Sequence, residues 1–179
     1  NYLTKSKVID IFLKENIQYR TTKFLEVGTG EGVLTEKLIN ICQDFIGIEK
    51  DRDNFFKTKE KIGNIKSAKI ILGDVLDTNF PSDTMIVGAP PYSISSELIK
   101  KIICSNVDAT VLIVQKEFAD KIMTLPGNSS RSYLAALISI VGDIKKIIDV
   151  NKKSFNPVPQ VDSSLININF SKREKVSNV

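Results

Sequence analysis

"TKFLEVGTGEG", residues 22–32, is the stretch on which the reading of the whole chain turns. A short apolar run around Phe24, Leu25 and Val27 has strand length and stops at Gly28-Thr29-Gly30-Glu31-Gly32. Glycines at that point let the backbone turn sharply and approach a ligand with no side chain in the way. The next segment, "GVLTEKLINIC", repeats Val33, Leu34, Leu38 and Ile41 at helical spacing. A strand that passes through glycines into a helix is one unit of a helix-covered sheet. The spacing is G-x-G-x-G, so the G-x-G-x-x-G turn that cradles a dinucleotide pyrophosphate is poorly matched.

The alternation continues in both directions. Upstream, "SKVIDIFLKENI" places Val8, Ile9, Phe12 and Leu13 on one helical face. Downstream, "DFIGIEK" reads as a strand, "RDNFFKTKEKI" as a helix, and "AKIILGD" and "DTMIVGA" as two more strands. "SSELIKKII" reads as a helix that Ser95 and Ser96 are expected to cap, with Glu97 in its first turn to complement the dipole. "ATVLIVQ" is a fifth strand, followed by helical "KEFADKIMTL" and "SYLAALISIV" on either side of the breaker "PGNSS". The last segments, "DIKKIIDV" and "SSLININF", read as strands joined by a proline-containing loop and paired antiparallel. The pattern predicts an α/β fold with a mostly parallel sheet.

The bulk properties narrow the function classes. With 179 residues, 42% of them hydrophobic and 26% charged, the chain suits one globular domain. No run approaches the length of a membrane span, and no signal-peptide pattern opens the sequence. Cys42 and Cys104 lie far apart in apolar helical stretches and are expected to be buried free thiols in a reducing compartment. The absence of histidine argues against zinc hydrolases and serine triads, and no metal is expected. A net charge of +4 is compatible with a nucleic-acid partner. Lys145, Lys146, Lys152, Lys153, Lys172, Arg173 and Lys175 crowd the last third.

In open α/β sheets, ligands collect outside the carboxyl ends of the strands. Gly28 and Gly30 end the first strand here, and Glu49 ends the second, where a carboxylate can accept ribose hydroxyls. Gly73-Asp74 ends the third, where a carboxylate can meet an adenine amino group. Taken in order, these residues describe a nucleoside crevice without a phosphate anchor. S-adenosyl-L-methionine suits such a crevice better than NAD does.

The order of motifs carries a family resemblance. "NYLT", "FLEVGTGEGVLT", "IGIEKD", "GDVL", "VGAPPYSISS", "VQKEFADKI" and "SFNPVPQVDSS" stand in the order typical of ribosomal-RNA adenine N6,N6-dimethyltransferases of the KsgA and Erm type. The chain resembles that family over nearly its whole length, and the "FNPVPQVDSS" wording sits closer to the KsgA branch. The resemblance implies a Rossmann-like methyltransferase fold, a seven-stranded sheet with the last strand antiparallel. It implies S-adenosyl-L-methionine contacts from Asn1, Leu3, Gly28, Gly30, Glu49, Asp74, Val75 and Ala89. Residues 1–170 would be the catalytic domain, and 171–179 a tail or the start of a linker to an absent C-terminal helical domain. The sequence starts inside its first motif, which also suggests a trimmed chain. The implied partner is ribosomal RNA in a small-subunit precursor. No membrane partner, a monomer and a cytoplasmic location are expected.

The loop "IVGAPPYSISS", residues 86–96, then acquires a purpose. An adenine amine is a weak nucleophile, so the protein must mostly clamp the extruded base and aim the amine. Pro90 would offer its carbonyl to one amine hydrogen, while Tyr92 and Phe155 would stack on the two faces of the base. Relatives carry Asp or Asn where this chain has Ala89, so the second amine acceptor is missing and turnover is expected to be impaired. Ser93 stands where many relatives have a second Asn, and Arg131-Ser132 stand at a place where relatives show Tyr-Gly. Ala89 also keeps open a non-catalytic RNA-binding assembly factor of the same fold. A DNA adenine methyltransferase is suggested by the Pro-Pro-Tyr wording alone.

Overall fold

Parallel strands buried on both faces need apolar residues at nearly every position, and the central strands of this chain meet that demand. The computed structural model describes residues 2–19, 23–129 and 131–172. It opens with a two-residue strand β1 (Tyr2–Leu3) and helix α1 (Ser6–Ile17), then β2 (Lys23–Val27), α2 (Thr35–Leu38), β3 (Asp44–Glu49) and α3 (Arg52–Ile62). There follow β4 (Ala68–Leu72), β5 (Thr84–Gly88), α4 (Ser95–Cys104), β6 (Ala109–Gln115), α5 (Lys116–Ile122) and α6 (Tyr133–Val141). The chain closes with β7 (Asp143–Val150), the short β8 (Phe155–Asn156) and β9 (Ser163–Asn169).

The seven-stranded sheet has the order β4-β3-β2-β5-β6-β9-β7. The first five strands run parallel, and β9 enters antiparallel between β6 and β7. The final strand is therefore the reversed one, and β7 and β9 are the antiparallel neighbours that the sequence predicts. Leu25, Val27, Ile86 and Leu112 face a core shared with Leu98, Ile99 and Ile102 of α4 and Leu134 and Ile138 of α6. Phe24, Phe45, Met85 and Val111 face the opposite core, closed by Val8, Ile9 and Phe12 of α1 with Leu34 and Leu38.

Three local expectations fail. The helix after the glycine turn is confined to Thr35–Leu38. Gly32 holds a positive φ of 76°. Beyond it, bonds spanning three residues (Lys37 N–H to the Leu34 carbonyl, Asn40 to Lys37, Ile41 to Leu38) compete with those spanning four. The serines do not cap α4. Pro91 is extended, and a tight turn over Tyr92–Ile94 begins the helical winding earlier, so Ser95 falls inside it. The buried Ser95 hydroxyl has no hydrogen-bond partner among the described residues. Finally, neither thiol is fully buried: Cys42 is half-buried in the turns after α2, and Cys104 is exposed at the last position of α4.

The difference between a serine that caps and one that does not can be measured. Ser132 accepts the Ala135 N–H at 3.1 Å and caps α6. Ser132→Ala is expected to lower unfolding stability by about 1 kcal/mol. Ser95→Ala is expected to leave stability unchanged or raise it, because no hydrogen bond is lost. Urea midpoints of the two variants check this.

Candidate functional site

A cleft of about 590 Å³ opens at the carboxyl ends of β2, β3 and β5. Its walls bring together Leu3, Gly28, Gly30, Glu49, Ala89, Pro90, Tyr92 and Phe155, all of which the sequence singles out. The pairing of β1 with β8 does much of this: Leu3 lies opposite Phe155, and the Thr4 N–H reaches the Ser154 carbonyl at 2.8 Å. Residues distant in sequence thereby share one wall.

The glycine turn is fixed from several sides. Gly30 has φ of 56°, and a Cβ there would stand 2.7 Å from the Tyr2 ring, so any side chain would be strained and would displace the ring. The Tyr2 hydroxyl is itself held by Asn54 Oδ1 at 3.0 Å. The Thr58 hydroxyl of α3 donates to the Gly30 carbonyl at 2.8 Å, tying the turn to that helix. The Glu49 carboxylate accepts the Gly30 N–H at 2.7 Å and the Asp51 N–H at 2.9 Å. At Gly28 a Cβ would meet nothing within 4 Å, so the space beside that backbone is open.

The other half of the cleft is neutral. Ala89, Pro90, Pro91 and Tyr92 form its wall, and the Tyr92 hydroxyl lies 2.6 Å from the buried Ser163 hydroxyl. Phe155 lines the cleft from within its wall, only 4% exposed. Asp74 and Val75 do not line it. The Asp74 carboxylate takes the Lys50 ammonium at 2.8 Å and the Leu76 N–H at 2.9 Å, and these bonds hold its pKa below the ordinary value. Val75 packs into the α4 side of the core. Asn1 lies outside the described residues.

Sequence reasoning passed over Glu26. This side chain lines the cleft, is 1% exposed and receives a hydrogen bond from the Thr35 hydroxyl. Burial first, and the neighbouring Glu49 charge as a lesser cause, push its pKa up to about 8, while the Thr35 bond works against the rise. A lone carboxylate inside an apolar strand was the available signal. Tyr2, Asn54 and Ser163 carried no local signal, because their partners lie far along the chain.

Comparison with known proteins agrees with this geometry. The family "Ribosomal RNA adenine dimethylase" matches residues 1–179. The chain belongs to that family. A ribosomal RNA small subunit methyltransferase, mitochondrial, from Arabidopsis thaliana is 34% identical over 171 residues, covering 93% of this chain and 45% of that protein. Ribosomal RNA small subunit methyltransferase A of Crocosphaera subtropica is 30% identical over 164 residues, covering 82% of this chain and 61% of the relative. The chain thus spans about half the length of these relatives. Among solved structures, a dimethyladenosine transferase from Plasmodium falciparum superposes with a TM-score of 0.87 at 29% identity, over 94% of this chain and 63% of that one. The 23S rRNA methyltransferase ErmE reaches a TM-score of 0.88 at 24% identity, over 97% of this chain and 71% of its own. These neighbours share the Rossmann-like methyltransferase fold. Among the described residues, no helix is long and apolar enough to cross a membrane, and no group of three His, Cys, Asp or Glu could hold a metal ion.

The buried Glu26 makes the stability of the fold depend on pH. An unfolded glutamate loses its proton near 4.5, whereas folded Glu26 keeps it to about 8. Between those values the folded state binds more protons, so stability falls as pH rises. Glu26→Gln is expected to flatten this fall, with the variant gaining on the parent from pH 5 to pH 8. Thermal unfolding at both pH values tests the sign.

Proposed function

We propose that this chain transfers methyl groups from S-adenosyl-L-methionine to adenine N6 in small-subunit ribosomal RNA. The observation that carries the reading is the joining of two half-sites in one cleft. One half has open backbone at Gly28 beside the Glu49 carboxylate, and the other is walled by Pro90, Tyr92 and Phe155. The names of the relatives support the RNA class of the substrate.

The residues suit the donor. Glu49, held by two backbone amides, keeps lone pairs for ribose hydroxyls, and the backbone at Gly28 and Gly30 lets the methionine portion lie close. Leu3 covers it from β1. Asp74 adjoins the cleft only through Lys50, the rim lysine with which it pairs. The donor supplies an activated methyl group on a sulfonium. The protein's own work is to bind, orient and exclude water. Tyr92, its hydroxyl tied to Ser163, and Phe155 grip the extruded base, and the Pro90 carbonyl accepts one amine hydrogen.

Ala89 favours a second reading. It lines the cleft where an acceptor would complete the amine's hydrogen bonding, and a methyl group offers none. A protein that binds RNA and donor with little turnover has this arrangement. The two readings part in one assay, methyl transfer to unmodified small-subunit particles by the full-length protein. Ala89→Asn is expected to raise the rate by ~100- to 1000-fold. Tyr92→Ala is expected to weaken RNA binding by the ~1–3 kcal/mol of a base–aromatic stack. No gain from Asn at position 89, with donor binding intact, overturns this account of the loop.

A further inference from the structure

Outside the cleft, helix α3 presents a face that the fold leaves uncovered. Its inward side is occupied: Asp51 and Asn54 line the cleft, the Thr58 hydroxyl donates to the Gly30 carbonyl, and Ile62 is buried. On one flank, Lys57 and Lys61 reach back to Glu31 and Glu36. On the other flank Arg52, Phe56 and Lys59 recur at helical spacing, with the half-buried Phe55 beside them. Phe56 is 53% exposed. The two phenylalanines meet edge to face, with ring centroids 5.2 Å apart and planes at 71°. The Arg52 guanidinium stands 5.8 Å from the centre of the Phe56 ring, and the Lys59 ammonium 5.3 Å from that of Phe55.

These cations differ from the others near the cleft. Lys50, Lys57 and Lys61 each hold a carboxylate, whereas neither Arg52 nor Lys59 has an ion-pair partner among the described residues. Each is held instead by a ring four residues away on the helix. Lys66, in the turn after α3, and Lys69, on the edge strand β4 against which α3 packs, are also exposed and without ion pairs among the described residues. The acids of the helix, Asp53 and Glu60, are exposed on the next stripe round it, where the Asp53 charge acts on Lys57. Arg52 and Lys59 stand about 10 Å apart along the helix axis, with the rings between them.

We propose that this face of α3 is a docking platform for single-stranded RNA that flanks the nucleotide in the cleft: the exposed Phe56 ring stacks a base, and Arg52, Lys59, Lys66 and Lys69 meet phosphates. The proposal rests on the reading of the chain as an RNA methyltransferase. Charge selects this occupant over a protein surface. An apolar partner, or a second copy of this chain, would cover Phe56 only by desolvating cations that have no acid to meet, whereas a polyanion brings the missing charge. The rings select a single strand over a duplex. Unpaired bases have free faces for an aromatic side chain or a guanidinium, and such stacking tolerates any base. The platform begins next to Asp51, so a strand that passes over this rim of the cleft meets Arg52 first.

Binding of a fluorescein-labelled oligoadenylate to the full-length protein, followed over a salt series, tests the platform. Phe56→Leu keeps an apolar side chain without a ring and is expected to weaken binding by about fivefold or more. Phe56→Trp restores a ring and is expected to bind at least as well as the parent. Arg52→Gln and Lys59→Gln are each expected to lower the slope of log affinity against log salt by about 0.7. S-adenosylmethionine affinity is expected to stay unchanged in all of them, since none of these side chains lines the cleft. An oligonucleotide carrying 4-thiouridine is expected to crosslink to Phe55 or Phe56 under ultraviolet light, as mapped by mass spectrometry. Unaltered affinity and salt slope in the variants, with crosslinks elsewhere, overturns the proposal and leaves the RNA reading intact. A dimer of the parent that dissociates in Phe56→Leu on sedimentation assigns the face to a second copy and overturns the proposal as well. Failure of the full-length parent to bind either the oligonucleotide or small-subunit particles overturns the RNA reading itself, and the proposal with it.

Discussion

The Glu49 carboxylate accepts the Gly30 N–H at 2.7 Å and the Asp51 N–H at 2.9 Å, and the geometry of the cleft follows from that pair of bonds. A hydrogen bond to a charged group contributes about 1.5–3 kcal/mol, enough to hold a turn that has no side chain of its own. Through it the turn after β2 is locked to the end of β3. Tyr2 then settles over Gly30, Asn54 fixes the Tyr2 hydroxyl, and β1 pairs with β8 to carry Leu3 and Phe155 into the wall. Loosening the carboxylate would release three segments at once. One residue positions the scaffold and also faces the ligand space.

How far the sequence announces this structure depends on the range of the interactions. The buried strands are visible because each is a continuous apolar run, and α1 because its apolar residues recur at helical spacing. The residues at strand ends, Gly28, Gly30 and Glu49, are visible because the parallel sheet dictates where its ligands must lie. The pairing of β1 with β8 is not: two-residue strands have no periodicity, and Tyr2 and Asn156 meet only after the chain has closed. The cap of α4 is misread for a related reason. Ser95 looks like a helix start by composition, but Pro90 and Pro91 stiffen the segment before it and winding begins at Tyr92. Glu26 is hidden by its setting, since an apolar strand invites the assumption that all its inward positions serve packing.

The charge of the molecule is divided by location. Lysines and arginines outnumber acids over the chain, yet the cleft wall is acidic. Exposed pairs such as Lys50–Asp74 and Lys57–Glu31 contribute little stability in water. Their effect is to hold the rim cations in place, with Lys50 drawn to Asp74, so that they leave the interior acids uncompensated. The excess of basic charge therefore lies outside the cleft, and the carboxylates line it.

The cleft is also divided along its length by hydrogen-bonding character. Glu49, Glu26 and the glycine backbone fill the end under β2 and β3 with polar groups. Beyond Ala89 the wall is two prolines, a tyrosine hydroxyl already engaged by Ser163, and a phenylalanine sunk in its strand. Prolines have no amide hydrogen, so at Pro90 and Pro91 the backbone of this wall can accept but not donate. Ala89 sits on the boundary between the two regions, where a single side-chain oxygen would link them.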